Sequence, residues 1–179
     1  MATDRLFLAT FPDRGTAGRL AAFAAAQCAR HGLRGKPLAT DRFHVTLFHL
    51  GDSAGLRPEI VAAASAAAAR VTAAPFDVVF DQVTSFEARR ETSPFVLTAE
   101  QGNASLHAFQ AELGARLREA GLGRWVASGF RPHVTLAYDH LVIAPEKVAP
   151  MAWRVEEFVL VHSLLGRTRH IPLARWPLG

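Results

Sequence analysis

The chain has 179 residues, of which 50% are hydrophobic and 20% are charged, and its formal net charge is +4 at pH 7. This composition is typical of soluble globular proteins, and no apolar stretch approaches the roughly 18 to 20 residues that a membrane-spanning helix needs. The lone Cys28 excludes an internal disulfide.

The N-terminal segment MATDRLFLATFPDRG shows no pattern of a secretory signal peptide. Together with the single cysteine, this favours a cytoplasmic protein. The positive charge permits an anionic partner but does not demand one, because the basic residues are spread along the chain.

The first half of the sequence predicts the order strand, helix, strand, helix, strand. Apolar or alternating runs favour the strands, Pro58 suits a first helical position, and Gly32 and Gly35 end the first helix. The predicted strands are 5–11, 41–50 and 76–86, and the predicted helices are 16–29 and 57–71.

The second half repeats much of this order and closes with a predicted hairpin. Its predicted strands are 94–100, 130–138, 155–166 and 169–176, its predicted helix is 103–121, and 144–150 is predicted to be a short helix or turn.

The repeated order predicts an α+β fold that is bilobal and duplicated, with two antiparallel sheets facing each other across a central cleft and helices on the outside. We expect a single domain, 1–179, with lobes at roughly 1–90 and 91–179. An exchange of terminal strands between the lobes is an open alternative. A monomer suffices for such a self-contained cleft.

The tetrapeptide His-Val-Thr-Leu occurs twice, beginning at His44 and at His133. Side chains two positions apart on a strand share a face, so each histidine is expected to point the same way as the threonine that follows, Thr46 or Thr135. If the two strands lie side by side, two imidazoles and two hydroxyls converge on one spot.

Near neutral pH two histidines can act as a general base and a general acid, because one can accept a proton while the other donates one. Threonine hydroxyls are neutral donors suited to phosphoryl oxygens. This set favours phosphodiester chemistry by in-line displacement, for which no metal or cofactor is expected. A metal site is a weaker alternative, because each motif supplies one imidazole and no Cys or carboxylate cluster lies nearby.

At these residues the chain resembles the two-histidine (2H) phosphoesterase superfamily. The segments FHVTLFHLGD and FRPHVTLAY match its paired His-x-Thr signatures, and RLFLATFP and FVLVHSLLGRTRHIPLARWPL match its opening strand and closing hairpin. The nearest branch is the RNA 2′,3′-cyclic phosphodiesterases, which are also labelled 2′-5′ RNA ligases.

The resemblance implies a role for each motif residue. His44 would be the proton donor and His133 the proton acceptor, while Thr46 and Thr135 would hold the non-bridging oxygens. A water activated by His133 would open a 2′,3′-cyclic phosphate and leave a 2′-phosphomonoester.

Three further residues are candidates for substrate binding. Arg131 lies two positions before His133, where its guanidinium either reaches phosphate with two hydrogen bonds or is simply solvated, since Pro132 disturbs the strand alternation. Phe48 continues the face of Thr46 and is either a base-stacking residue or a core aromatic. Ser163 is a candidate for lining the cleft.

Other histidines are expected to have structural roles. His49 departs from the aromatic residue often found there in the family, and strand alternation predicts that it faces the core. His162 and His170 are expected to satisfy local hydrogen bonds near the end of the chain.

Several functions remain open from the residues. The expected partners are RNA 2′,3′-cyclic phosphate ends, with small cyclic nucleotides as an alternative, and no membrane. The same site can run in reverse as a 2′-5′ RNA ligase. A nucleotide- or RNA-binding module without turnover is the non-enzymatic alternative, which the intact histidines and threonines disfavour.

Overall fold

The computed structural model describes residues 1–88 and 91–179. The helices are α1 (Arg14–Arg30), α2 (Pro58–Ala68) and α3 (Ala104–Glu119). The strands are β1 (Asp4–Thr10), β2 (Val45–Ser53), β3 (Phe76–Ser85), β4 (Ser93–Thr98), β5 (His133–Asp139), β6 (Glu146–Val155), β7 (Glu157–Leu164) and β8 (Arg169–Pro177).

The strands form one antiparallel sheet of eight strands in the order β6-β3-β4-β5-β2-β1-β7-β8. The predicted α+β class is confirmed, but the described residues form no second, separate sheet. The two halves of the sheet meet where β2 pairs with β5, and this pairing places Val45 opposite Val134. The join is narrow and lies directly beside the two His-x-Thr motifs.

Each half of the sheet draws strands from both halves of the chain. One half contains β1, β2, β7 and β8, and the other contains β3, β4, β5 and β6. The C-terminal hairpin therefore packs beside the N-terminal strand, as β1 pairs with β7 from Asp4 opposite Leu164 to Ala9 opposite Val159. The two ends of the chain are thereby fixed in the same half-sheet.

Helix α1 forms where the sequence supplies a cap and an apolar stripe. At the start of α1 the Asp13 carboxylate accepts a hydrogen bond of 2.9 Å from the Thr16 amide, which satisfies one of the free N–H groups of the first turn. Leu20, Ala24 and Cys28 are buried along α1 at four-residue spacing. Such spacing puts one helix face against the sheet.

Strand β1 shows that the two faces of the sheet differ. Leu6 and Leu8 belong to the main core together with buried residues of all three helices. Phe7 and Ala9 point the other way and form a separate small cluster with two valines of β7. The face that carries this second cluster is called the cleft face below.

Strand β6 replaces the short helix or turn predicted at 144–150. It pairs with β3 from Phe76 opposite Val155 to Val83 opposite Glu146, with an irregularity between Phe80 and Gln82. Proline is tolerated in edge strands at such irregularities. The local prolines suggested a turn, whereas pairing with a distant strand decides the conformation.

Candidate active site

A β-bulge in β2 shapes the site. Leu8 of β1 pairs with Phe48, whereas the next residue, Ala9, pairs with Thr46. Strand β2 therefore has one residue more than β1 at this point. A bulge reverses the inward and outward alternation of the residues beyond it.

The bulge overturns the predicted orientations of two residues. Phe48 is only 4% exposed and belongs to the main core, where it packs under Gly114 of α3. His49 is exposed instead of buried, and its Nε2 lies 3.0 Å from an oxygen of the Asp52 carboxylate. Phe48 therefore packs mainly in the core, although it also contributes to the lining of a recess beside His133, and His49 is on the cleft face.

The two motifs meet in one cavity of about 310 Å³ on the cleft face, at the join of the half-sheets. The sequence-predicted residues that line it are His44, Thr46, His133, Thr135 and Ser163. The cavity brings both imidazoles and both threonine hydroxyls together, because β2 and β5 are neighbours and each motif starts at the same level of the join.

Both histidines are held by the same main-chain contact. Nδ1 of His44 lies 2.7 Å from the Arg42 carbonyl oxygen, and Nδ1 of His133 lies 2.7 Å from the Arg131 carbonyl oxygen. A carbonyl only accepts, so each Nδ1 carries the proton and donates it. In the neutral ring Nε2 then has a free lone pair, which is the form that a general base requires.

Each imidazole also packs against phenylalanine. Phe7 stacks on His44 with 5.1 Å between ring centroids, and the Phe11 ring lies 5.5 Å away on the same histidine. Phe86 meets His133 edge to face at 4.8 Å. The rings are thus fixed by one hydrogen bond and by aromatic contacts, which limits their rotation.

The surroundings favour neutral histidines. The pKa of His44 is lowered to about 4, mainly by burial; the hydrogen bond to the Arg42 carbonyl opposes this shift, and the nearby charges of His170, His133 and Arg42 contribute to it. Burial and then the charge of Arg131 lower the pKa of His133. A bound phosphate brings negative charge between the rings and favours the protonated form of one of them.

Arg131 lies just before β5 and not on it. Its side chain is exposed, and its guanidinium carbon lies 4.4 Å from the centre of the Phe86 ring. The stack places Arg131 beside His133 rather than between the two threonines. Its carbonyl orients His133, while its guanidinium stays available at the rim of the site.

Beside His133 the cavity continues into a second recess, which we call the aromatic arm. It is lined by aromatic and polar side chains and shares Thr46, His49 and His133 with the main cavity. The other aromatic, polar or charged side chains that line this arm are those of Phe48, Gln110, Trp125, Ser128, Phe130 and Arg131.

Sequence reasoning missed His170 as part of the site. Its ring lies 5.4 Å from that of His44, it lines the cavity, and its buried Nδ1 has no hydrogen-bond partner among the described residues. The hairpin register explains this, since His170 pairs with Ser163. Residues that are paired across a hairpin point to the same face of the sheet. Since Ser163 was already a candidate for the cleft, its predicted partner His170 could have been identified from the sequence.

His162 has the structural role expected of it. Its Nε2 lies 2.5 Å from an oxygen of the Asp4 carboxylate, and this contact links β7 to β1.

Within residues 1–88 and 91–179 no three His, Cys, Asp or Glu side chains cluster so that they could hold a metal ion. In the same ranges no helix is long and apolar enough to cross a bilayer.

Two His-x-Thr strands that meet at the centre of a duplicated α+β sheet define a 2H phosphoesterase. The sequence profile of the 2′-5′ RNA ligase superfamily matches residues 17–167 of the chain. The chain therefore belongs to the 2′-5′ RNA ligase superfamily. No curated protein matches the sequence.

Solved structures are similar over almost the whole chain. E. coli LigT complexed with 3′-AMP is 27% identical, with a TM-score of 0.74 and 98% of each chain covered. TT0787 of Thermus thermophilus is 24% identical, with a TM-score of 0.70 and 97% of each chain covered. Kluyveromyces marxianus Usb1 is 12% identical, with a TM-score of 0.53, 99% of this chain and 98% of that chain covered. The last two similarities concern the fold alone.

Proposed function

We propose that the protein hydrolyses 2′,3′-cyclic phosphate ends of RNA to 2′-phosphomonoesters, with His44 as the proton donor and His133 as the proton acceptor. The matched hydrogen bonds of the two histidines carry this proposal. Each Nδ1 is bonded to a carbonyl oxygen 2.7 Å away, so each Nε2 remains for proton transfer in a cavity that both threonines line.

The reaction is an in-line displacement at phosphorus. Nε2 of His133 takes a proton from water as the water oxygen bonds to phosphorus, and the bond from phosphorus to O3′ breaks. His44 donates its proton to the departing O3′, so that the phosphate stays on O2′. Thr46 and Thr135 donate hydrogen bonds to the non-bridging oxygens, where charge develops. Exchange with solvent then restores both histidines.

The charge around the cavity supports an anionic substrate. Arg42 lines the cavity beside His44, and its buried Nε has no partner among the described residues. A guanidinium of this kind is suited to a phosphate oxygen. An anion bound there also raises the pKa of His44 from its low value, which supplies the protonated acid that the displacement needs.

The aromatic arm favours RNA over a substrate limited to one cyclic nucleotide. Trp125 and Phe130 offer stacking surfaces beside Arg131, and single-stranded RNA is bound through aromatic stacking and cationic side chains. E. coli LigT has been solved with 3′-AMP, ATP and NADP+. These complexes support nucleotide binding in the corresponding cleft of this chain.

The test is incubation of the purified protein, with EDTA present, with an RNA oligomer that ends in 2′,3′-cyclic phosphate. Wild type is expected to give a 2′-phosphate, read by mass and by sensitivity to phosphatase. His44→Ala and His133→Ala are each expected to lose turnover, while His140→Ala, on an exposed histidine after β5, keeps it.

Absence of turnover, together with retained RNA binding, would instead support the binding module. Turnover of cyclic mononucleotides without turnover of RNA would support the small-substrate alternative. Addition of a 5′-hydroxyl RNA to the same assay detects 2′-5′ joining by an increase in product length.

A further inference from the structure

A second groove lies beside His44, on the side away from the aromatic arm. It encloses about 500 Å³ and shares His170 with the catalytic cavity. We call it the β8 groove because residues from His170 to Pro177 line it. None of the four motif residues His44, Thr46, His133 and Thr135 lines it.

The floor of the β8 groove is apolar and reaches the catalytic histidine. It contains Phe11, Val159 and Val161, which belong to the small cluster of the cleft face. The Phe11 ring centroid is 5.5 Å from that of His44. A flat apolar ligand on this floor would therefore lie next to the proton donor.

The rim of the groove carries more acidic than basic side chains. Glu157 is paired with Arg175 at 2.7 Å, and Arg154 lies 3.4 Å from Asp77. Asp13 caps α1. The remaining two rim carboxylates, Asp41 and Glu156, have no ion-pair partner among the described residues.

This combination of floor and rim fits one kind of occupant. Unpaired carboxylates repel a phosphate chain but accept hydrogen bonds from N–H groups. A nucleobase has a flat face for the apolar floor, and adenine, cytosine and guanine have an exocyclic amino group for a carboxylate. Uracil has no amino group, and its one Watson–Crick N–H, at N3, is flanked by two carbonyl oxygens that oppose a carboxylate.

The geometry of the proposed reaction puts the base on this side. His44 protonates the departing O3′, so the ribose that carries O3′ lies against His44. In an in-line displacement the attacking water and the departing O3′ lie on opposite sides of phosphorus. Because the water lies on the side of His133, the ribose and its base lie on the side of His44. There the base faces either the β8 groove or solvent.

We propose that the β8 groove binds the base of the terminal nucleotide and that Asp41 selects bases with an exocyclic amino group over uracil. This inference rests on the proposed function, since it takes the scissile phosphate to lie between His44 and His133. A hydrogen bond to a charged group corresponds to a preference of about tenfold or more.

The experiment compares kcat/KM for the 2′,3′-cyclic phosphates of guanosine, adenosine, cytidine and uridine. Wild type is expected to favour the three amino bases over uridine by about tenfold or more. In Asp41→Asn the ratio of guanosine to uridine is expected to fall toward one, with a smaller change in Glu156→Gln. Asp81→Asn, in the other half of the sheet, serves as the control and is expected to keep the wild-type ratio.

Equal kcat/KM for all four substrates in wild type would overturn the inference, and so would an unchanged ratio in both groove variants. A structural effect of Asp41→Asn lowers all four values together and leaves the ratio as it was. If wild type turns over none of the four mononucleotides, the RNA assay described above tests the proposed function by itself, and the dissociation constants of 2′-GMP and 2′-UMP then test the base groove. Equal constants contradict the base groove, and tighter binding of 2′-GMP that Asp41→Asn removes supports it.

Discussion

Val45 and Val134 face each other across the join of the two half-sheets, and each directly follows the histidine of a His-x-Thr motif. Val45 is 2% exposed and Val134 is fully buried. The pair therefore sets the relative level of the two imidazoles and also seals the core beneath them. A change at the pair is expected to affect both the stability and the catalytic geometry.

Val134→Ala is expected to lower the free energy of unfolding by about 2 kcal/mol, through lost burial and the remaining cavity. Urea denaturation measures this change. Val79→Ala is the matched control, because Val79 lies on β3 with 44% of its surface exposed, and it is expected to change stability little. Equal losses in the two variants would show that the join is not a packed contact.

Gly35 touches the second motif strand so closely that no side chain fits. A Cβ at this position would overlap the Tyr138 carbonyl group. The amides of Arg34 and Gly35 both donate to the Asp139 carboxylate at 2.6 Å. This contact fixes the loop that leads to His44 against β5.

Gly35→Ala is expected to lower the free energy of unfolding by about 2–3 kcal/mol, because the backbone must move apart to admit the methyl group. It is also expected to reduce kcat, since the loop carries the chain toward His44. Gly18→Ala is the control, as a Cβ at Gly18 in α1 meets nothing within 4 Å, and alanine favours a helix by roughly 0.5–1 kcal/mol. Thermal unfolding and initial rates on cyclic-phosphate RNA provide the readouts.

Arg131→Gln is expected to keep most of the turnover and to raise KM roughly tenfold, because it removes a phosphate-binding charge at the rim. It leaves the main-chain contact of His133 intact. The charge of Arg131 lowers the pKa of His133, so its removal is expected to shift the pH profile of kcat/KM to higher pH. Arg70→Gln, which changes an arginine paired with Glu119, is expected to leave both KM and the profile unchanged.

The buried His44 makes stability depend on pH. Its pKa is about 4 in the folded protein and about 6.5 in an unfolded chain. Between these values the unfolded state binds more protons, so stability falls as the pH drops from about 6.5 to about 4, and above that window His44 adds no pH dependence. The loss is about 3 kcal/mol when the window has been crossed.

His44→Gln is expected to reduce that acid destabilisation, measured as the difference between the free energies of unfolding at pH 7 and about pH 4.5, inside the window set by the two pKa values. Some dependence should remain, because the pKa values of His133 and His170 are also lowered by burial. His140→Gln is the control. An unchanged pH dependence in His44→Gln would show that His44 is not protected from protonation in the folded state.

The sequence predicted most elements and the core of the site because these depend on local patterns. Apolar runs indicated the strands, and prolines and glycines indicated where helices begin and end. The repetition of His-x-Thr indicated that the two copies belong to one site. Strand β6 was not predicted, because it forms through pairing with β3 and its local prolines suggested a turn. The single continuous sheet was also not predicted, because its two halves join through a pairing between residues that are distant in sequence, Val45 and Val134.

The orientations of Phe48 and His49 could not be predicted, for a different reason. Alternation along a strand holds only while both partners advance by one residue at a time. The extra residue of β2 opposite Ala9 breaks this rule, and nothing in the letters VTLFHL marks it. His170 differs, because the pairing partner of Ser163 in the predicted hairpin could be identified from the sequence, whereas its 5.4 Å contact with the His44 ring follows only from the fold.

The protonation pattern of the two catalytic rings is set by peptide carbonyls, at Arg42 and Arg131. Every amino acid possesses such a carbonyl, so no point substitution can delete it. Mutational drift at these two positions can thus retune substrate affinity without reversing the tautomer of either histidine. The tautomers of the two motif histidines are inherited with the path of the main chain, and the side chains around them are free to change.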